Sequence, residues 1–421
     1  MADSSRVSPE QRNDGTSFLR DYGLWALTFS YVLSQFFRSY VAVIATQLIA
    51  DFRFSAEMFG WFAGAFFLVF ALAQIPVGVL FDRYGVRVPT AALMALGTLS
   101  AALLMVTTNP WSAIAAQAGI GLGCAPIFMG LLNYVLSSGA GPRQTSAITT
   151  ASAIGMAGAL LAAWPLSRAT AESGWRAPML AATVAMLAAT LVVIVFVKRR
   201  PPVLHATDST QTTQRHRAMQ PETGRFWALA PACLAMSVGA TFRTSWGGPY
   251  LADVFGFDLL ARGNAMTITS IVATVASFCV PLMVRRWAPK WISLTWLIVG
   301  AIAAVMLALF PGVSGVLGVA LICVLFSVGA IHPLVMSQAR AIVVPERLGL
   351  ALGFLNSLVF LGVALASGCF GWIAGHARLA HATPARIYAS LFAVTALPLA
   401  FGAAVYVLSP RTGAPRARHR A

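Results

Sequence analysis

The chain alternates long apolar stretches with short polar ones. Reading between the charged residues gives twelve apolar segments, near residues 23–49, 58–80, 88–107, 112–137, 145–167, 176–197, 226–251, 264–284, 291–310, 314–338, 348–374 and 385–408. Most are close to the roughly 20 residues a helix needs to cross a bilayer core. The pattern predicts an all-α membrane protein of twelve transmembrane helices. The first and seventh segments are interrupted by arginine. The connections are short except at residues 198–224, a polar, basic, proline-containing stretch with the character of a flexible linker. The expected organisation is a tail (1–21), a six-helix bundle (22–197), the linker (198–224), a second six-helix bundle (225–408) and a basic tail (409–421).

Internal repetition supports that division. Phe37-Arg38-Ser39 recurs as Phe242-Arg243-Thr244, and Leu48-Ile-Ala-Asp51 as Tyr250-Leu-Ala-Asp253. Arg83 and Arg87 recur as Arg286 and Lys290, and Pro126 and Met129 as Pro333 and Met336. The four matches keep their order at offsets of 202 to 207 residues. Parallel six-helix pseudo-repeats of this kind suit a secondary transporter.

Composition narrows the class. Of 421 residues, 58% are hydrophobic and 10% charged, and the mean hydropathy is +0.77. A soluble domain is roughly a quarter charged, so this chain is not one. The five cysteines sit inside apolar segments and are odd in number, which excludes a disulfide scaffold. Residues 1–21 lack a short apolar core and cleavage site, so the first segment is expected to stay in the membrane. The net charge of +16 would suit nucleic acid, but its placement argues otherwise. Of 29 Lys and Arg, 21 fall in the two tails, the linker and alternate loops, whereas Arg53, Arg168, Arg176, Arg262, Arg378 and Arg386 fall in the opposite loops. The positive-inside rule then places both termini in the cytoplasm, with Arg411, Arg416, Arg418 and Arg420 holding that orientation against anionic headgroups. The partners expected are the lipid bilayer and a small solute, with no nucleic acid, no cofactor and no metal, and a monomer as the default.

The second-to-third loop reads Gly78-Val-Leu-Phe-Asp82-Arg83-Tyr-Gly85-Val-Arg87. It resembles motif A of the major facilitator superfamily, G-x-x-x-D-[RK]-x-G-x-[RK], at the expected place. Gly174-Trp175-Arg176 and Gln74-Ile-Pro76-x-Gly78 are also similar to the organic-anion and sugar-phosphate permease branch. The resemblance covers residues 20 to 408 and implies alternating access in a bacterial inner membrane. Gly85 permits a tight turn, and Asp82 can accept hydrogen bonds from a neighbouring helix N-terminus and from Arg87, a latch on the cytoplasmic side. Two departures count against a proton-driven drug exporter. Gln117 stands where many proton-coupled members carry arginine before Gly121 and Gly123, and the fifth segment lacks the G-x-x-x-G-P-x-x-G-G motif.

Arg38 and Arg243 remain, mid-segment and repeat-equivalent. Each arginine at a helix centre costs roughly 2.5–3.5 kcal/mol on insertion scales. All thirteen Asp and Glu lie at segment ends, in loops or in tails, so no buried carboxylate offsets that cost. The pair is expected to face a water-filled cavity and to grip a small organic or phosphorylated anion bidentately. The resemblance implies the same, since organophosphate/phosphate antiporters place one arginine on each of these two helices. Helical spacing adds Tyr31 and Gln35 to the Arg38 face and Trp246 and Tyr250 to the Arg243 face. Gly247-Gly248-Pro249 is expected to break or bend the seventh helix.

Met129 and Asn133 on the fourth segment are expected opposite His332 and Met336 on the tenth, with Asn356 on the eleventh a further polar candidate. His332 titrates near neutrality and could carry a coupling proton, or stay neutral and bonded within the bundle. His332 and Met336 with Met129 and Cys124 could also form a soft copper(I) site, which two cationic arginines in one cavity would oppose. No enzyme signature is present. The expected function is anion transport, by exchange or proton coupling. The alternatives are a copper or drug carrier of the same superfamily and a non-transporting sensor with this fold.

Overall fold

A computed structural model describes residues 21–137, 142–198 and 226–409, except for the side chains of residues 142, 143, 145 and 345–347. Nearly all of the two tails and the linker, including Arg411 to Arg420, lie outside the described residues. The described chain is helical: α1 (Tyr22–Phe52), α2 (Ala56–Tyr84), α3 (Arg87–Val106), α4 (Pro110–Leu136), α5 (Pro142–Leu161), α6 (Trp164–Ser173) and α7 (Arg176–Phe196). The second half comprises α8 (Ala230–Thr241), a π-helical turn (Phe242–Trp246) and α9 (Gly247–Phe255), then α10 (Leu259–Val284) and α11 (Pro289–Leu309). It ends with α12 (Gly315–Ser327), a 3₁₀ turn (Val328–Ile331), α13 (His332–Ile342), α14 (Pro345–Leu379) and α15 (Pro384–Tyr406).

Eleven stretches among the described residues are long and apolar enough to cross a membrane, with α5–α6 and α12–α13 each counting as one. The seventh span, α8 to α9, is divided by its π turn and completes twelve. Apolar side chains also cover the exterior: Leu99, Val195, Ile302 and Leu397 are all largely exposed, the surface that lipid rather than water requires.

Capping chemistry sets the helix starts. The Asp21 side chain accepts from the backbone N–H of Gly23 and Leu24, and Asp258 Oδ1 from that of Ala261 at 2.7 Å. Between α5 and α6 the chain breaks at Ala163, ahead of Trp164-Pro165, because proline supplies no N–H to a continuing helix. The fifth span therefore continues to Ser173, beyond the expected 167.

Two sequence expectations are corrected. Gly247-Gly248-Pro249 does not break the seventh span; the irregularity lies one turn earlier, where the Gly247 N–H bonds Phe242 O, and α9 runs straight through Pro249. Gly248 serves close approach instead: a β-carbon there would lie 1.7 Å from Ala42 O on α1. Arg262 is not in a loop. It occupies the first turn of α10, is only 4% exposed, and donates from Nη1 to Thr46 Oγ1 on α1 at 2.7 Å.

That bond is one of several joining the two halves on the face where α1 ends, here termed distal. Trp164 N–H donates to Thr267 Oγ1 at 3.1 Å, and Phe59 packs against Trp246 with ring centroids 5.2 Å apart. At the opposite, proximal face, Asp82, Arg83, Asn133 and Arg340 are exposed, and among the described residues no ion pair spans the halves there. The molecule is closed distally and parted proximally. In the first half the distal ends are pinned by Asp51, whose Oδ2 accepts from Arg176 Nη1 at 2.6 Å and Trp175 Nε1 at 2.7 Å. Gly174 (φ 74°) makes the turn that presents both donors, which gives Gly174-Trp175-Arg176 its physical role.

This packing has measurable consequences. Gly97→Leu must push against the Gly123 backbone, 2.9 Å from an added β-carbon, and should lower the apparent Tm, overpacking typically costing about 1–3 kcal/mol. Gly78→Ala, with nothing within 4 Å, should leave Tm unchanged in the same thermal assay. Thr46→Val strands a buried guanidinium N–H, at a cost of about 1.5–3 kcal/mol. Since about 1.4 kcal/mol is tenfold in an equilibrium, labelling of a cysteine placed on the distal side of that contact should quicken about tenfold or more.

Candidate functional site

Arg38 sits mid-way along α1, with Tyr31, Ser34 and Gln35 on the preceding turns. Its guanidinium carbon lies 4.4 Å from the Phe70 ring centroid and 5.1 Å from that of Phe360, and these two rings are 4.4 Å apart. Phe70 belongs to α2 of the first half and Phe360 to α14 of the second. A cation from one half therefore rests on an aromatic pair shared by both. Arg38 Nε is buried without a hydrogen-bond partner.

Arg243 lies inside the π turn. Such a turn inserts one residue and rotates the downstream helix by roughly 100°, and π bulges recur at functional sites. Among the described residues neither Arg38 nor Arg243 has an ion-pair partner. The described carboxylates (Asp21, Asp51, Glu57, Asp82, Glu172, Asp253, Asp258) all lie at helix ends. Helix α1, which carries Tyr31 and Arg38, packs directly against the π turn that carries Arg243. Arg38, Arg243 and Tyr31 are thus brought together, with Gln35 donating to Tyr31 Oη at 2.9 Å. Both arginines remain partly accessible although they are deep in the bundle, as walls of a solvent-reached cavity must be.

A second polar group lies one rung along the same seam. Asn356 Nδ2 donates to Gln74 Oε1 at 3.2 Å, again linking α14 to α2. Gln74 lies four residues after Phe70 and Asn356 four before Phe360, so the aromatic and amide rungs are consecutive contacts of one antiparallel helix pair. Asn356 also lies beside His332, whose Nε2 is buried without a partner. Met129 and Met336 are half-buried.

Other expected residues lie elsewhere. Tyr250 is fully buried and its hydroxyl donates to Pro311 O at 2.7 Å, so it packs the second half rather than a cavity. Trp246 is 3% exposed, wedged between Phe59 and Phe370 in the distal closure. Asn133 is exposed in the last turn of α4, nearer the proximal rim than the arginines. Of motif A, Gly85 (φ 71°) makes the turn after α2, Arg83 stacks on Tyr84, and Arg87 opens α3. Gly78 lies in α2 with open space around it. Asp82 is exposed with no hydrogen bond among the described residues, so the hydrogen bonds expected of it from a neighbouring helix and from Arg87 are not made here.

Four residues emerge only from the fold: Phe70, Phe360, Gln74 and Arg262. The four-residue spacing within each Phe–amide pair is visible in the sequence, but nothing there pairs the two helices. Gln117, in the position where arginine is common, is buried and accepts from Tyr40 Oη at 2.6 Å, a neutral tie between α1 and α4.

Two proteins described as putative tartrate transporters of Agrobacterium vitis are similar to this chain. They are 24% identical over 363 and 373 residues, covering 79% and 82% of this chain and 82% and 81% of theirs. A solved bacterial homolog to the human lysosomal transporter Spinster, in an inward-facing and occupied conformation, superposes with a TM-score of 0.73. It is 18% identical, over 94% of this chain and 97% of that one. The Major Facilitator Superfamily model matches residues 27–367. With its twelve spans in two halves, the chain belongs to the Major Facilitator Superfamily and is a multi-pass membrane transporter of a small solute.

Proposed function

We propose that the protein carries a small organic anion across a bacterial inner membrane by alternating access, with Arg38 and Arg243 as paired ligands for the anion. The observation that carries this reading is the pair of guanidiniums deep in the bundle with no carboxylate, among the described residues, to neutralise them. Such charges persist only where water, an anion or a π-face answers them, and the π-face at Arg38 leaves the charge un-neutralised. The tartrate transporters among its relatives support a small dicarboxylate, which can present one carboxylate to each arginine.

The hydrogen bonds that join the halves near their ends lie on the distal face, so the anion enters from the proximal side, which the positive-inside rule makes cytoplasmic. Arg38 is then parked on Phe70 and Phe360. An entering anion draws it off the rings, and the contact surrendered is one that held α2 to α14. Binding thereby loosens one cross-half contact while the anion bridges Arg38 of one half to Arg243 of the other. With no buried carboxylate to relay a proton, the transport mode proposed is exchange of one anion for another. His332 is the alternative proton carrier.

Tartrate counterflow in proteoliposomes tests this. Arg38→Gln and Arg243→Gln should each weaken tartrate binding about 30-fold or more, the cost of truncating one member of a desolvated charge pair. Arg38→Lys should recover part of it, because an ammonium keeps the charge and loses the fork. Undiminished transport in both glutamine variants would overturn the paired-arginine site.

Phe360→Leu should tighten tartrate binding several-fold. It removes a competing cation–π contact of about 0.5–2 kcal/mol, and equilibrium dialysis would detect the change. Exchange should proceed without a pH gradient and require anion on the trans side. Strict proton dependence that disappears in His332→Gln would replace exchange with proton cotransport.

A further inference from the structure

The distal ends of the two halves repeat one device unequally. Asp51 and Asp253 are 202 residues apart, as are Arg176 and Arg378. In the first half the acid is fully engaged, at 2.6 Å from Arg176 and 2.7 Å from the Trp175 indole. In the second half Ala377 replaces that tryptophan, and Arg378 stands 3.7 Å from Asp253, too far for a hydrogen bond. Tyr388 Oη supplies one bond to Asp253 Oδ2 at 3.0 Å.

Beside this acid lies open space. A half-open cavity of about 270 Å³ is lined by Trp246, Asp253, Arg378, Pro384, Ile387 and Tyr388. Trp246, only 3% exposed, has no acceptor for its Nε1–H among the described residues. A buried indole N–H without an acceptor is costly, and so is a guanidinium held off its carboxylate. Trp246 and Arg378 both line that cavity, with the indole Nε1 itself turned into the packing and sealed from solvent.

We propose that this cavity is a second binding site, on the distal face, for a small hydroxycarboxylate. Arg378 grips the ligand's carboxylate, the Trp246 ring closes the inner wall, and a hydroxyl on the adjacent carbon donates to Asp253. Tyr388 holds Asp253 in place, and Pro384 and Ile387 form the apolar wall. The volume is at the small end for ligand pockets, which suits an occupant of about ten heavy atoms. The hydroxyl matters because a plain carboxylate would bring its charge beside Asp253 with nothing to donate to it. Trp246 separates this cavity from Arg243 within one helical turn, so the site is a waiting position outside the closed distal gate. This deepens the anion-transport reading and rests on it for the ligand class.

The test uses the full chain with its five cysteines replaced and Pro384→Cys introduced at the exposed rim. Malate and tartrate should slow maleimide labelling of that cysteine, and succinate, which lacks the hydroxyl, should do so about tenfold less effectively. Arg378→Gln should abolish protection, and the Arg38→Gln/Arg243→Gln double variant should keep it. Equal labelling rates with and without malate would overturn the site. So would protection that vanishes in the double variant, because the effect would then come from the central site.

If the cysteine variant fails to fold, thermal shift in the double variant puts the same question. Malate should still raise its Tm, and adding Arg378→Gln should erase the rise; no rise would overturn the site. Failure of the central reading has a different signature: unimpaired counterflow in the double variant, whatever happens at the rim.

Discussion

Two positive charges in the middle of an apolar bundle, without a carboxylate to share them, set the terms for everything around them. A guanidinium cannot discard its proton, so the protein must offer water, an anion or a π-face. Arg38 takes the last of these, from rings contributed by both halves. The charge is thereby stabilised without being neutralised, which leaves it competent to attract an anion.

That choice ties the site to the gate. Phe70–Phe360 and Gln74–Asn356 are neighbouring rungs of the α2–α14 seam. Further along, Gly60 and Gly371 bring the same two helices so close that a β-carbon at Gly60 would lie 2.9 Å from Gly371 Cα. The seam is tight at its distal end and soft, aromatic and polar where it meets the site. Arg38 touches this seam directly, without any intervening residue.

The closed face relies on hydrogen bonds of intermediate strength and on close backbone approach. Thr46–Arg262 and Trp164–Thr267 are single bonds, and Gly248 lets α9 touch the Ala42 carbonyl. A gate that must open repeatedly is served by contacts worth a few kcal/mol together, not by a buried multivalent ion pair. Asp82 on the opposite face is exposed and makes no hydrogen bond among the described residues.

The number of spans, their two-fold repetition and the isolation of Arg38 and Arg243 were all set by the sequence, because each depends on local composition and on position along the chain. The Gly85 turn is legible for the same reason: a positive φ after a helix favours glycine, although Arg53 adopts one after α1. Tertiary structure alone decided what each arginine faces. Trp246 and Tyr250 share a helical face with Arg243 by spacing, but the π turn rotates that face, and both are spent on packing. Hydropathy puts Arg262 in a loop because it ends a span at a charge, whereas the helix begins before that residue and the opposite half supplies Thr46. Phe70 and Phe360 are 290 residues apart, and no periodicity relates them. Their pairing exists only once two helices from different halves are laid side by side.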